Sequence, residues 1–298
     1  MRITHRMIAE GVNYNLQQSM RRMDQRSQQL SMGKAFSRPS EDPVGTCRVM
    51  CYRDSISRNE RYRLNIDEAR GWLQATEAAL MEGLAVVQRI RDLSIYGANA
   101  ALSQAELLSI AEEVDEFYDH LVGVGNSEYN GLYLFGGHRT GAPPYREGSQ
   151  GLLEYFGDQG ERRLEISSHQ EIMMNLNGKR VFGGENGTGL METVFKVRQA
   201  LKEGDQKFLG GEALAKIDGG IDLLLERLSE AGARYNRIDA MESTLFEENI
   251  HLREVLSQVE DIDFAEALTE HSMEAYAYQA ALATASRVLQ PNLLDYLR

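Results

Sequence analysis

Two glycine-rich segments are the places where the chain could bind a phosphate group. Residues 136–141 read Gly-Gly-His-Arg-Thr-Gly, and residues 183–189 read Gly-Gly-Glu-Asn-Gly-Thr-Gly. Neither has the G-x-G-x-x-G order of a dinucleotide loop. Gly178-Lys179 could end the P-loop pattern G-x-x-x-x-G-K, but the first glycine of that pattern would fall at Met173. Turns between strands explain these glycines better than a phosphate site does.

Metal-binding and nucleophilic side chains are few and scattered. The six histidines are His5, His120, His138, His169, His251 and His271. None has zinc-ligand spacing to another histidine or to a cysteine, so no metal site is expected. Cys47 and Cys51 lie four residues apart in a helix-compatible stretch and would share one face. We expect them to be buried thiols, because a disulfide within one helix fits the bridge geometry poorly; their redox state is not predicted.

No arrangement of side chains predicts catalysis. Acidic pairs such as Glu112/Glu113 and Glu247/Glu248 fall in helical sequence, where a solvated face is the simplest interpretation. Neither G-x-S-x-G nor H-E-x-x-H occurs, and Ser168-His169 has no recognisable nucleophile setting. We therefore predict that the chain is not an enzyme and needs no cofactor.

Charge is distributed unevenly along the chain. The net charge is −13, yet residues 1–70 carry 13 Lys/Arg against 8 Asp/Glu. Arg61-Tyr62-Arg63 could stack on bases, but the basic residues are dispersed and the overall acidity repels a polyanion. The strip from Arg58 to Arg70 is better interpreted as a contact with another subunit. We therefore expect no nucleic-acid partner. We also expect no membrane partner, because no apolar run approaches the roughly 20 residues that a membrane span needs.

Apolar residues at alternating steps of three and four predict long helices with one narrow apolar face. The longest run is Leu214, Ile217, Ile221, Leu224, Leu228, Ala231, Tyr235, Ile238, Glu242, Leu245, Asn249, Leu252, Leu256 and Val259. At a rise of 1.5 Å per residue, a helix over residues 211–260 would measure roughly 75 Å. Such a rod needs partner helices along its whole length.

Both chain ends carry further apolar stripes, which we expect to form an inner layer between subunits. The predicted packing residues are Leu16, Met20, Met23, Leu30, Phe264, Leu268, Ala275, Tyr278, Leu282 and Leu289. His271 interrupts the second stripe and is expected to be a partly solvated seam residue. Around Pro39 and Pro43 the first helix must end, with Ser40 as the expected N-cap of the next.

The middle of the chain has a different sequence pattern, with clustered glycines and short runs typical of β-strands, such as residues 152–156 and 163–166. The predicted fold is therefore mainly α with a small β-rich insert, a long antiparallel helical bundle built from both chain ends. We predict three regions: assembly-dependent terminal helices over residues 1–45 and 260–298, a helical rod over 46–126 and 190–259, and a small outer β-rich domain over 127–189.

Short motifs at both ends resemble the flagellin superfamily. Residues 30–34 read Leu-Ser-Met-Gly-Lys, and Arg38, Pro39, Ser40, Glu41, Asp42 and Pro43 then form a proline-flanked turn. This form of the turn is similar to that of the hook-filament junction proteins, also called hook-associated protein 3. Towards the other end, residues 232–238, 262–265 and 293–298 resemble the C-terminal region of the same superfamily.

The resemblance implies a structural subunit that joins the flagellar hook to the flagellin filament. It implies hook-associated protein 1, flagellin, further copies of the chain and a cytoplasmic export chaperone as partners. It also implies a location in the extracellular flagellum, reached by type III export without a cleaved signal peptide. Two alternatives stay open: the flagellin filament subunit itself, and a coiled-coil adaptor or adhesin unrelated to flagella.

Overall fold

A computed structural model describes residues 5–99, 101–147, 153–184 and 188–288. The chain divides into two compact units. The terminal unit comprises Met1–Arg58 and Glu248–Arg298, and the central unit comprises Asn59–Glu247. The predicted region boundaries at residues 45, 126, 189 and 259 stay a prediction. Within the described ranges, no helix is both long enough and apolar enough to cross a bilayer.

Long helices dominate the chain, as predicted. The helices are α1 (His5–Met32), α2 (Pro43–Gly97), α3 (Gln104–Gly125), α4 (Gly178–Phe182), α5 (Gly189–Glu203), α6 (Gln206–Phe208), α7 (Leu214–Glu260) and α8 (Phe264–Val288), with a π-helical turn at Leu209–Ala213 before α7. The fourteen predicted stripe positions of α7 are all buried or half-buried, including Glu242 and Asn249. The break predicted after the rod is also present, since α7 ends at Glu260 and α8 begins at Phe264.

In the central unit, helices α2 and α7 pair with opposite charges. Arg70 binds Glu242 near one end of the pair, and Arg91 lies 2.5 Å from Asp218 near the other. Residue numbers rise along α2 as they fall along α7, so the two helices run antiparallel. Buried apolar side chains such as Ile66 and Leu73 on α2 pack with those of α7 in one core.

The described residues contain three pairs of antiparallel strands. They are β1 (Glu128–Tyr129) with β2 (Leu132–Tyr133), β3 (Tyr145–Glu147) with β4 (Leu153–Tyr155), and β5 (Arg163–Ser167) with β6 (Gln170–Met173). Their side chains share the core of the helices: Ile166 of β5 and Ile172 of β6 belong to it, and Tyr145 of β3 packs edge-on against Phe182. Because a lone hairpin is only marginally stable in water, this shared core holds the strands in place.

In the terminal unit, α1 and α8 form an antiparallel pair. Arg22 lies 3.1 Å from Glu274, and Arg26 lies 2.9 Å from Glu270. An antiparallel β-bridge joins Lys34 to Asp261. Both chain ends therefore contribute one helix each to the pair, as the predicted antiparallel arrangement requires.

Candidate subunit interface

The terminal unit leaves many large apolar side chains in water. Of 20 exposed large hydrophobic residues in the described ranges, 12 belong to the terminal unit, although it contains the smaller part of the chain. Large exposed apolar surfaces on a soluble chain mark sites that another molecule covers. The surface of this unit is therefore the candidate interface.

The contact between α1 and α8 follows a heptad seam. Half-buried positions of the two helices include Ala9, Gln29, Glu270 and Ala275. The seam itself consists of buried and half-buried positions, which are Val12, Leu16, Ser19, Met23, Arg26 and Leu30 on α1, and Ala267, His271, Glu274, Tyr278, Ala281 and Ala285 on α8. Both sets advance by alternating steps of three and four, which is coiled-coil spacing. The most deeply buried side chains are Ser19, Ala267 and Ala285. The larger seam residues Leu16, Met23, Leu30 and Tyr278 are only half-buried, so the seam removes part of their apolar area from water and stabilises this helix pair modestly.

The predicted packing residues divide into two groups. Leu16, Met23, Leu30, Ala275 and Tyr278 are half-buried within the terminal unit, whereas Met20, Phe264, Leu268 and Leu282 remain exposed. Leu289 lies outside the described residues. The seam on α8 runs through Ala267, Ala281 and Ala285, where small side chains permit close approach, and it leaves the bulkier leucines on the flank. Packing of this flank against other subunits stays a prediction.

Several exposed apolar residues of the terminal unit were not among the predicted packing residues. They are Met7, Tyr14, Met32, Val44, Met50, Ile250, Met273 and Tyr276. Met273 and Tyr276 are spaced i, i+3 and lie beside the predicted stripe, so α8 is apolar over more of its circumference than one seam uses. That width was the available signal that the helix has more apolar surface than the α1 seam covers.

A groove of about 420 Å³ lies on the terminal unit. Its lining includes Met20 and Met23 from α1 and His271 from α8. His271 is half-buried, as expected of a seam histidine with partial access to water. Gln17, Arg21, Asp24 and Ser27 complete the lining, so the groove combines two methionine side chains with polar and charged groups.

The proline-flanked turn holds the start of α2. The Asp42 carboxylate accepts hydrogen bonds from the backbone N–H groups of Val44 and Gly45 at 3.1 and 2.9 Å. Asp42 is therefore the N-cap and Pro43 occupies the first helical position, where a missing N–H costs nothing. The expectation that Ser40 caps this helix was wrong, because Asp42 directly precedes Pro43 while Ser40 lies in the turn before it.

The rest of the turn motif has structural roles as well. The Glu41 carboxylate accepts the N–H of Ser37 at 2.9 Å, which closes the turn over Arg38, Pro39 and Ser40. A Cβ at Gly45 would overlap the Asp42 carboxylate and lie 2.9 Å from a ring carbon of Phe36. Glycine at this position therefore permits the cap to form. No contact with another subunit is needed to explain the motif.

The connector after α1 binds the connector after α7. Gly33 ends α1 with a left-handed φ of +69°, and its carbonyl oxygen accepts the Ile262 N–H at 3.2 Å. The Ala35 N–H donates to the Glu260 carbonyl oxygen at 2.7 Å. These backbone bonds tie together two segments that are more than 220 residues apart in sequence.

Charged side chains surround this backbone contact. Lys34 lies 2.8 Å from Asp261 and 3.2 Å from Glu260, and Arg53 lies 2.5 Å from Glu260. The Lys34 hydrogen bond lowers the pKa of Asp261, and a hydrogen bond from Ser257 lowers it further. In turn, the hydrogen bond to Asp261 raises the pKa of Lys34. Glu260 is buried but has two cationic partners, so its charge is compensated.

Cys47 and Cys51 are both exposed on α2. The expectation of buried thiols was wrong, because the helix turns Val49 inward and leaves the cysteines on its outer side. Among the described residues, no group of three or more His, Cys, Asp or Glu side chains could hold a metal ion.

Comparison with known proteins identifies the family to which this chain belongs. Residues 3–140 match the bacterial flagellin N-terminal helical region, and residues 214–297 match the bacterial flagellin C-terminal helical region. The flagellar hook-associated protein 3 of Salmonella typhimurium is 22% identical over 306 residues, covering 95% of this chain and 96% of that protein. The flagellin of Bacillus subtilis is 24% identical over 305 residues, covering 100% of both.

Solved structures share the fold. The flagellar hook-associated protein 3 of Legionella pneumophila has a TM-score of 0.66 at 15% identity and covers 71% of this chain and 98% of its own. Bacillus cereus FlgL has a TM-score of 0.60 at 23% identity and covers 70% of this chain and 99% of its own. The resemblance read from the terminal motifs is confirmed: this chain belongs to the bacterial flagellin family.

Proposed function

We propose that this chain is the subunit that joins the flagellar hook to the flagellin filament. The observation that carries the proposal is the pair of terminal helices, which meet along one seam and leave large apolar side chains such as Phe264, Leu268 and Tyr276 exposed. Assembly with other subunits would remove this apolar surface from water. Relatives named flagellar hook-associated protein 3 also match the chain over 95% and 85% of its length.

The family is one of structural flagellar components, so the chain assembles with copies of itself and with other flagellar proteins in the extracellular flagellum. We place hook-associated protein 1 on its hook side and flagellin on its filament side. Contacts between different surfaces of successive copies extend a tube instead of closing a pair. Before assembly, we propose that a cytoplasmic chaperone covers the apolar terminal helices and that type III export carries the chain outward.

The flagellin filament subunit is the second candidate, because Bacillus subtilis flagellin also matches over the whole length. The proline-flanked turn favours the junction protein. In this turn Asp42 caps α2 ahead of Pro43, and the sequence of the turn resembles that of the junction proteins more than that of flagellin. Membership of the flagellin family argues against an adaptor or adhesin unrelated to flagella.

Deletion of the gene in the source bacterium separates the two candidates. If the chain is the junction subunit, deletion cells keep their hooks, carry no filaments and release flagellin into the medium, and a plasmid copy restores filaments. If it is a flagellin, deletion removes or shortens filaments without release of another flagellin. Normal filaments and normal motility in the deletion strain would refute the junction proposal.

A further inference from the structure

The glycine-rich loop at residues 136–141 surrounds a carboxylate of the chain itself. The backbone N–H of His138 donates to Asp158 Oδ1 at 2.7 Å, and the N–H of Gly160 donates to the same oxygen at 2.8 Å. Asp158 lies in the connector between β4 and β5. Two segments of the central unit therefore bind one carboxylate oxygen, and backbone N–H groups that converge in this way form anion-binding concavities.

The glycine at position 137 permits the close approach of this carboxylate. Its φ of +73° lies in the left-handed region, and a Cβ at this position would overlap Asp158 Oδ1. The Gly136 carbonyl oxygen accepts the Asp158 N–H at 3.1 Å, so the loop also binds the backbone of the same residue. Glycine at position 137 is therefore required by the bound carboxylate as well as by the turn.

Other hydrogen bonds hold the connector in place. The Tyr155 hydroxyl lies 3.1 Å from the Asp158 carbonyl oxygen, and the Asn175 side chain donates to the Gly160 carbonyl oxygen at 2.9 Å. Neither bond involves the Asp158 carboxylate. Removal of the carboxylate should therefore free the loop at residues 136–141 while the connector stays attached to the rest of the unit.

The charged and titratable groups that face Asp158 favour its ionised form. Partial burial raises the pKa of Asp158, but the N–H groups of His138 and Gly160, together with the side chains of His138 and Arg139, lower it by more, so the pKa lies below its ordinary value. The Tyr155 hydroxyl adds no charge near neutral pH, because burial raises its pKa to about 12. The loop thus binds a charged carboxylate.

We propose that the Asp158 carboxylate is a latch: it occupies an anion-binding site formed by the N–H groups of His138 and Gly160, and its binding holds the loop at residues 136–141 closed. When the carboxylate is removed or neutralised, the loop opens while the helices of the unit remain folded. Without the Asp158 side chain, the site would take a small carboxylate such as formate, which fits the space that the side chain leaves. The latch belongs to the folded chain and does not depend on the proposed function.

Chemical rescue of the purified chain tests the latch. Asp158→Gly removes the carboxylate, and sodium formate supplies one in solution, with sodium chloride at the same ionic strength for comparison. Opening of the loop is measured as the rate of trypsin cleavage after Arg139, relative to cleavage after Lys207, an exposed site on α6 of the same unit. Glu161→Gln is the matched control variant, because Glu161 is an acid of the same connector whose carboxylate binds Arg163 at 2.7 Å.

The latch predicts that Asp158→Gly speeds cleavage after Arg139 by about tenfold or more, because hydrogen bonds to a charged group are lost. Formate should restore most of the protection, whereas chloride should not, and Glu161→Gln should resemble wild type. Cleavage of Asp158→Gly at the wild-type rate would refute the latch, and equal effects of formate and chloride would refute the carboxylate site. If cleavage after Lys207 accelerates as well, the whole unit has lost stability, and amide exchange of Asp158→Asn then decides.

Amide exchange tests the charge of Asp158 without changing the size of its side chain. Because the folded pKa of Asp158 is lowered, the stabilisation is present above the unfolded pKa of about 3.9 and is lost as pH falls through the folded value. The protection factor of the His138 amide should therefore fall on acidification of the wild-type chain. In Asp158→Asn it should be lower at neutral pH and nearly independent of pH. A wild-type protection factor in Asp158→Asn at neutral pH would overturn the latch.

Discussion

Substitution of Leu282 by aspartate separates folding of the single chain from assembly. Leu282 lies on the exposed flank of α8 and is 43% exposed in the chain alone. Its carboxylate replacement would remain in contact with water there, so the free energy of unfolding of the chain should change little. In an assembly that covers this flank, the same carboxylate would lose its hydration.

The size of the assembly effect follows from burial. Complete burial of a leucine side chain stabilises by roughly 1.5–3 kcal/mol, so covering the 43% that is exposed contributes about 1 kcal/mol. Removing an ion from water costs several kcal/mol more. A total of about 3 kcal/mol or more corresponds to over a hundredfold weaker contact, since about 1.4 kcal/mol is a factor of ten.

Two assays measure these effects. Circular dichroism of the purified chain should show the same melting temperature for Leu282→Asp and wild type, while swimming and filament number fall sharply in cells. Ala283→Asp is the matched control, because Ala283 is the next residue, is also exposed, and lies outside the predicted stripe. Unaltered filaments and motility with Leu282→Asp would show that this flank is not an interface. An equal loss with Ala283→Asp would show that the stripe has no special role.

Three further predictions concern the terminal unit. Gly45→Ala should destabilise the start of α2 by about 1–3 kcal/mol, because the new Cβ overlaps the Asp42 carboxylate; chemical denaturation measures this, and Gly11→Ala, where a Cβ meets nothing within 4 Å, should be harmless. The pKa of Asp261 is lowered by Lys34, so its contribution to stability is present above its unfolded pKa of about 3.9 and is lost as pH falls through the folded value. The protection factor of the Ile262 amide, which corrects for the intrinsic slowing of exchange in acid, should therefore fall on acidification, and Lys34→Met should weaken that dependence; an unchanged profile would contradict the role of this ion pair. Limited trypsin digestion of the free chain should cleave at Arg21 and Arg22 well before sites in the central unit, and equal protection of α1 would indicate that the terminal helix pair is stable without partners.

The sequence predicted the long helices well because their signal is local and repeated many times. Each of the fourteen stripe positions of α7 is buried or half-buried, so the period alone specified which face is inward. The break between α7 and α8 was equally visible, since Asp263 and its neighbours suit a helix start. The terminal motifs then identified the family.

Other features depended on contacts that sequence spacing does not show. The seam of α8 passes through Ala267 and Ala281 because the close approach of α1 selects small side chains, a choice that apolar periodicity alone cannot make. The shared core of the hairpins depends on pairs such as Tyr145 with Phe182, whose sequence separation gives no clue to their contact.

Immunogold labelling of purified hook-filament complexes tests the central claim most directly. A short epitope tag in the exposed turn after β5, around His169, would mark the chain without touching the terminal helices. The account predicts gold particles confined to one narrow zone where the hook meets the filament. Labelling along the whole filament would show that the chain is a flagellin, and labelling absent from the complexes would contradict a role in the flagellum.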